Sequence, residues 1–261
     1  MMKIPIRRQN LAMALGISII GSLLAWQAMN PGMATAQGSG QQRTAVRPDE
    51  DENDLRRDQR FDMDGVLDGL GLRAGMKIAD LGAGYGYMTF KLARRVAPGG
   101  IVYAEDIDSN ALDLLRARAA ERGLLNIKTI LGTEKEPPLP AGSLDAIFMH
   151  AVLQFLGERS AFLRAAARGL KPDGRFVIIE PESADSASDD GIAGPGLFPT
   201  RKGYMEIFRR AGLVPVSIEK KLDKKPPKIG SGEKTIFVLK LAVPPPAADL
   251  LKLANNCGHS W

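Results

Sequence analysis

Cysteine and histidine are scarce in this sequence of 261 residues, and strong charge of either sign is missing. The one cysteine, Cys257, has no second cysteine with which to form an internal disulfide. Two histidines are too few for a zinc centre, so we predict no metal site. The net charge is +5, and about +2 once the basic residues of the first 36 are set aside. We therefore expect no nucleic-acid partner.

The first 36 residues have the three parts of a secretory signal peptide. The basic start comprises Lys3, Arg7 and Arg8. A mostly apolar run from residue 11 to about 28 follows, and Ala34-Thr35-Ala36 is a small-residue cleavage site. We predict an exported protein, periplasmic or secreted. The alternative is an uncleaved segment that tethers the chain to the inner membrane, because about 17 apolar residues is the lower limit for spanning a bilayer.

Residues 37–60 are predicted to be a flexible linker and the start of an N-terminal helix. An acidic run extends from Asp49 to Asp54. We interpret it as the solvated beginning of a helix, where the dipole favours negative charge, with direct ligand contact as the alternative. A helical stripe of apolar residues predicts one or two helices ahead of the core. Its members are Leu55, Phe61, Val66, Leu67 and Leu70.

From residue 76 onward, short apolar runs alternate with helical stretches. Strands are predicted at 77–80, 101–105, 127–131, 146–149 and 176–180, with helices at 88–96, 111–121 and 160–170. This alternation predicts βαβ crossovers, and hence an α/β doubly wound fold with a mainly parallel sheet and helices on both faces.

The last quarter of the chain has a different texture. We interpret the small, polar segment 182–200 as a mobile lid over an acceptor pocket. Thr200 is predicted to cap a helix over 201–211 that ends at Gly212. Two closing strands follow at 214–221 and 235–241, and residues 242–261 form a peripheral tail.

The segment ADLGAGYGYMTFKLA, residues 79–93, places a glycine turn between a strand and a helix. A dinucleotide site is excluded, because Tyr87 stands where the third glycine of G-x-G-x-x-G should fall. Asp80 precedes the turn, and a carboxylate there suits a ligand with an ammonium group and would repel a phosphate. Asp106 ends the next strand, at the position that hydrogen-bonds ribose hydroxyls in such folds. Ammonium, ribose and no phosphate indicate S-adenosylmethionine.

Residues 61–241 resemble the class I S-adenosylmethionine-dependent methyltransferases, nearest to the small-molecule group. The matching segments are KIADLGAGYGYMTFKLA, GGIVYAEDIDSNALDLLRARA, ILGTEKEPPLPAGSLDAIFM and LKPDGRFVIIEPE. The resemblance implies a seven-stranded sheet whose last strand is antiparallel. It also implies S-adenosylmethionine as cofactor and a small-molecule acceptor, whereas it implies nothing about the oligomeric state.

By the same resemblance, nine residues bind the cofactor. They are Asp80, Gly82, Ala83, Gly84 and Gly86 at the methionine part, Asp106 at the ribose, Ile107 at the adenine ring, and Thr133 and Glu134 at the adenine amino group. Many relatives have an aspartate at position 133, so Thr133 departs from the pattern. Glu105 competes with Asp106 for the ribose, and strand alternation lets only one of the two reach it. Tyr85 and Tyr87 are cofactor walls or ordinary packing.

His150 is the candidate catalytic base, because it ends the fourth predicted strand, at the edge where open α/β sheets bind ligands. A polar histidine without a catalytic role is the alternative. Glu180 is a weaker candidate on the same argument. Close relatives often carry Asp and His where this chain has Ala151 and Gln154.

The resulting prediction is an enzyme that methylates a small molecule. The alternative is an exported, non-catalytic protein that uses the fold to bind a metabolite or a partner. A nucleic-acid methyltransferase ranks third, because its only support is a lysine cluster that we interpret as a solvated loop. The cluster consists of Lys220, Lys221, Lys224, Lys225 and Lys228.

Overall fold

A single seven-stranded sheet organises the molecule, which the computed structural model describes over residues 48–183, 198–222 and 233–242. Its strands are β1 Lys77–Leu81, β2 Ile101–Asp106, β3 Ile127–Leu131, β4 Leu144–His150, β5 Leu170–Glu180, β6 Leu213–Leu222 and β7 Glu233–Leu241. The order across the sheet is β3-β2-β1-β4-β5-β7-β6. Strands β1 to β5 pair in parallel, whereas β7 runs antiparallel to both of its neighbours. The predicted doubly wound fold, with its antiparallel last strand, is confirmed.

Helices cover both faces of this sheet. They are α1 Pro48–Arg60, α2 Met63–Gly69, α3 Tyr87–Val96, α4 Ser109–Glu121, α5 Arg159–Ala167 and α6 Arg201–Ala211. Apolar side chains of α5 and α6 pack on one face, and those of α2 and α3 pack on the other. The central strands are buried on both faces, so they are continuous apolar runs in the sequence.

Helix α6 begins and ends as predicted. The Gly203 amide donates to the hydroxyl of Thr200, and Gly212 adopts the left-handed conformation (φ 76°) after the last turn. Helix α5 differs from its prediction, because it ends at Ala167 and Leu170 already belongs to β5. Strand β5 passes through Lys-Pro-Asp-Gly, residues with turn propensity, so the sequence pattern shows only its apolar second half.

Several predicted segments lie outside the described residues: the signal peptide, the linker up to residue 47, most of the lid and nearly all of the tail. Within the described ranges, no helix is both long enough and apolar enough to cross a membrane.

Candidate functional site

The glycine turn after β1 follows a path that larger residues would block. Gly82 has φ 68°, and a Cβ there would lie 2.4 Å from Cγ2 of Val152. Gly86 has φ 97°, and a Cβ there would lie 2.4 Å from the ring of Phe90. A Cβ on Gly84 would meet nothing within 4 Å. The turn is therefore closed towards the protein at its two ends and open at its centre, where a ligand can approach the backbone.

Two buried carboxyl groups lie beneath this turn. Asp80 is 1% exposed, and the hydroxyl of Thr89 donates to its Oδ2 at 2.6 Å. Burial raises the pKa of Asp80 to about 7, and the negative charge of Asp106 adds to the effect. Glu105 is 2% exposed and accepts a hydrogen bond from the Gly82 amide, yet burial, Asp106 and Asp80 raise its pKa to about 7. Its Oε1 has no hydrogen-bond partner among the described residues.

Asp106 differs from Glu105 in facing the edge of the sheet. Its Oδ2 accepts from the Gly84 amide at 2.8 Å, and its Oδ1 accepts from the Asp108 amide at 2.9 Å. Strand alternation sends Glu105 into the interior and leaves Asp106 partly exposed beside the turn. Of the two acids, Asp106 is therefore the one that a ligand can reach, and its contact with the ribose stays a prediction.

The predicted adenine end is open to solvent. Ile107 is 57% exposed next to Asp106, which leaves an apolar side chain free to pack on a flat ring. Thr133 and Glu134 are also exposed, but the Thr133 hydroxyl already bonds to both the amide and the carbonyl of Glu136, each at 3.1 Å. Thr133 therefore closes a local turn, and its contact with adenine stays a prediction.

His150 ends β4 as predicted and lies in a ring of cations and aromatic side chains. The Nζ atom of Lys234 is 2.9 Å from its Nε2 atom, and the ring of Tyr87 has its centroid 6.3 Å away. Burial, with the positive charges of Lys234 and Arg57, lowers the pKa of His150 to about 3. The imidazole is thus neutral at neutral pH and is a weak base, so its catalytic role stays a prediction.

Glu180, the second catalytic candidate, holds the segment that follows β4. Its Oε1 accepts from the amides of Val152 and Leu153 at 2.7 and 2.8 Å, and the side chain is fully buried. Burial raises the pKa of Glu180 to about 7. Ala151, just before these amides, has a left-handed backbone with φ 57°. Glu180 therefore holds the backbone of the segment that follows β4, and its side chain is buried away from the open edge of the sheet.

The acidic run at the start of α1 is not simply solvated. Asp51 and Asp54 accept hydrogen bonds at 2.7 and 2.6 Å from Arg118, whose side chain is completely buried, and Arg118 also donates to the carbonyl of Tyr85 in the glycine turn. The solvated interpretation is therefore wrong for Asp54, whose side chain is 18% exposed, whereas Asp51 is 51% exposed and keeps contact with solvent besides its ion pair.

Of the two tyrosines, Tyr87 is a packing residue. It is 8% exposed, and its hydroxyl donates to Asp58 of α1 at 2.7 Å.

Three residues of this edge are not among the predicted site residues: Thr89, Arg118 and Lys234. Thr89 follows the glycine turn on α3, so helical spacing alone could have indicated that it faces the strand. Arg118 and Lys234 carried no signal, because each meets its partner only through tertiary packing.

A groove of about 470 Å³ lies elsewhere, at the amino-terminal edge of β2 and β3. Pro98, Leu125 and Lys128 are among its lining residues. Open α/β sheets bind ligands outside the carboxyl ends of their strands, so the edge with the glycine turn is the better candidate site.

Comparison with known proteins shows that part of this chain is similar to methyltransferases. Residues 79–178 match a family described as "Methyltransferase domain". A nocamycin O-methyltransferase of Saccharothrix syringae is 36% identical over 116 residues, which cover 44% of this chain and 41% of that protein. A ubiquinone/menaquinone biosynthesis C-methyltransferase of Idiomarina loihiensis is 32% identical over 124 residues, 47% of this chain and 49% of that protein. The matched region thus spans less than half the length of these curated relatives.

The solved structures are similar over a larger part of the chain. A SAM-dependent methyltransferase from Aquifex aeolicus superimposes with a TM-score of 0.60 at 24% identity, covering 74% of this chain and 96% of that one. This likeness shows the fold. The matched domain agrees with the predicted enzyme class.

Proposed function

We propose that this chain, which has the fold of the class I methyltransferases, transfers a methyl group from S-adenosylmethionine to a small-molecule acceptor. The observation that carries the proposal is the group of three acids, Asp80, Glu105 and Asp106, around a glycine turn that is open at its centre. Three carboxyl groups in one place favour a ligand that brings positive charge and disfavour a phosphate.

The chemistry of these acids fits the proposed cofactor. S-adenosylmethionine carries a sulfonium, an ammonium group and ribose hydroxyls, and it has no phosphate. Because Asp80 and Glu105 have pKa values raised to about 7, a bound cation stabilises their ionised forms. Both oxygens of Asp106 already accept from backbone amides, so its carboxylate is oriented before any hydroxyl arrives.

The residues that would hold the cofactor are Asp80, Gly82, Ala83, Gly84, Gly86, Asp106, Ile107, Thr133 and Glu134. When bound, it supplies an electrophilic methyl group on a good leaving group. The task of the chain is then to orient the acceptor and exclude water, and orientation alone supplies ~7–11 kcal/mol in favourable cases.

The names of the relatives support a small-molecule acceptor. One is an O-methyltransferase for nocamycin and one a C-methyltransferase of quinone biosynthesis, so the relatives differ in the atom they methylate. We propose that the chain acts after export, because the N-terminal pattern is that of a signal peptide. An inner-membrane tether through the same segment is the alternative.

A second candidate function is binding without catalysis. Ala151 and Gln154 stand where close relatives often carry an Asp and a His, and His150 is a weak base in its surroundings. A non-catalytic protein would keep the acid cluster for a metabolite.

Titration of S-adenosylmethionine into the full chain by calorimetry tests the proposal. We expect a Kd in the micromolar range, about −8 kcal/mol, and at least about tenfold weaker binding by Asp106→Asn. Asp113→Asn is the matched control, because Asp113 is exposed on α4 and pairs only with Arg116 of its own helix among the contacts seen. A folded chain that gives no binding heat would contradict the proposal. Binding without methyl transfer to any acceptor would favour the second candidate.

A further inference from the structure

A lysine and a histidine meet at the carboxyl edge of the sheet, near the glycine turn. Leu81 of β1 pairs with Met149 of β4, so His150 emerges level with the start of the glycine turn. Lys234 of β7 reaches the same place, with its Nζ 2.9 Å from the His150 Nε2. The guanidinium carbon of Arg57 is 5.2 Å from the centroid of the Tyr87 ring, and its Nη1 pairs with Asp54 at 3.1 Å. Lys234 is therefore the cation that contacts the imidazole.

Sheet register explains why these residues meet. Thr235 pairs with Glu180, which places Lys234 just past the end of β5. Ile236 and Phe148 belong to the same core cluster, so by strand alternation Lys234 and His150 point to the same face of the sheet. Glu180 lies on the other face, where its Oε1 accepts from two backbone amides.

Aromatic side chains lie around Lys234. The Lys234 Nζ lies 4.9 Å from the centroid of the Phe61 ring, and both Phe61 and Tyr87 are almost fully buried. Such walls lower the local dielectric, which strengthens the interaction of Lys234 with any charge beside it. The His150 ring is neutral and its Nε2 can accept from the ammonium, so it fixes the direction of Lys234.

We propose that the methyl acceptor carries an acidic oxygen, an ionised carboxyl or phenol, which binds at Lys234 next to the glycine turn. This inference rests on the proposed function, and it names the class of acceptor for that site. His150 is then a positioning residue for Lys234. The acids at the glycine turn and the ammonium group of Lys234 match a reaction between a cationic cofactor and an anionic acceptor.

With an ionised acceptor, the methyl transfer needs no catalytic base. The bond between sulfur and the methyl carbon breaks, and its electron pair stays on sulfur, which becomes a neutral thioether. The acceptor oxygen gives an electron pair to the methyl carbon and becomes neutral. No proton is transferred, because the acceptor arrives ionised, and a weakly basic His150 is sufficient.

The test compares acids with neutral molecules of the same shape. The full chain is saturated with S-adenosylhomocysteine, the unreactive product, and titrated at pH about 8 with three pairs of probes. The pairs are benzoate and benzamide, 1-naphthoate and 1-naphthamide, and 4-nitrophenolate and 4-nitroaniline. We expect the anion of at least one pair to bind about tenfold tighter or more, a difference of about 1.4 kcal/mol.

Substitution of Lys234 shows whether this preference arises at the proposed place. Lys234→Met should abolish it, whereas Lys234→Arg should keep part of it and Lys240→Met should keep all of it. Lys240 is an exposed residue at the opposite end of the same strand, so it is a matched control. Unchanged S-adenosylhomocysteine affinity in each variant verifies that the fold is intact.

The possible negative results contradict different proposals. Absence of S-adenosylhomocysteine binding to the wild-type chain contradicts the proposed function itself. If the product binds but no anion is preferred, or the preference survives Lys234→Met, the acceptor inference is wrong and the methyltransferase proposal stands.

Discussion

At the scale of single residues, the conformation of Ala151 is the least expected feature of the site. Its φ of 57° lies in the region that glycine prefers, and it is the only non-glycine residue with positive φ in the described chain. The Ala151 amide donates to Ile179, and Glu180 binds the next two amides, so neighbouring hydrogen bonds hold the strained backbone in place. These hydrogen bonds also fix the segment that follows His150.

Ala151→Gly should therefore stabilise the protein. Removing the Cβ relieves the left-handed conformation, and we expect the free energy of unfolding to rise by about 0.5–1 kcal/mol. Urea denaturation followed by circular dichroism measures it. The control is Ala120→Gly at an exposed position in α4, where the same change should lower stability by about 0.5–1 kcal/mol. Equal destabilisation by both substitutions would show that Ala151 is not strained.

At the scale of elements, α1 is attached to the site through a buried arginine. Arg118 of α4 contacts Asp51 and Asp54 of α1 on one side and the Tyr85 carbonyl on the other. Its hydrogen bond to Asp51 is the main reason that the pKa of this aspartate is lowered. One guanidinium thus connects α1 with the glycine turn, in addition to the contacts of Asp58 with Tyr87 and Lys91.

Loss of both aspartate partners should be costly. Asp51→Asn with Asp54→Asn leaves the buried Arg118 charge uncompensated, and we expect a loss of about 3 kcal/mol in the free energy of unfolding. Glu52→Gln in the same helix is the control, because Glu52 pairs with Arg56 in an exposed position and should contribute less than about 0.5 kcal/mol. Chemical denaturation of the wild type, the double variant and Glu52→Gln measures the free energy of unfolding of each. Equal stability of the double variant and the control would mean that Arg118 does not need α1.

At the scale of the whole molecule, three buried acids link stability to pH. Asp80, Glu105 and Glu180 have pKa values raised to about 7, above the ~4 of unfolded chains. The folded state holds these protons more tightly, so their contribution to stability is present at low pH and lost as pH rises through about 7. His150 has the opposite effect, but only between pH about 3 and 6.5, where the unfolded chain takes up its proton.

Between pH about 6.5 and 8, the chain without cofactor should lose about 1–2 kcal/mol of stability. Added S-adenosylmethionine should weaken this loss, because its positive charge favours ionised Asp80 and Glu105, so its stabilising effect grows over the same interval. Thermal unfolding at a series of pH values, with and without cofactor, measures both slopes. Asp80→Asn should flatten both, and a cofactor effect independent of pH in the wild type would contradict the coupling.

The sequence alone determined the order of strands and helices and the position of the glycine turn. Periodicity of apolar residues and the conformational freedom of glycine act locally, so they are visible in a single chain. Strand alternation also predicted that only one of Glu105 and Asp106 can reach the ribose, and the choice of Asp106 came from its position at the end of the strand.

Only the tertiary structure decided which charges meet. Lys234 and His150 are 84 residues apart, and Arg118 and Asp51 are 67 apart, so neither pair leaves a local pattern. The weak basicity of His150 and the raised pKa values of Asp80 and Glu105 depend on burial and on distant neighbours. Electrostatic energies follow distance and dielectric in the folded molecule, and both are set by packing.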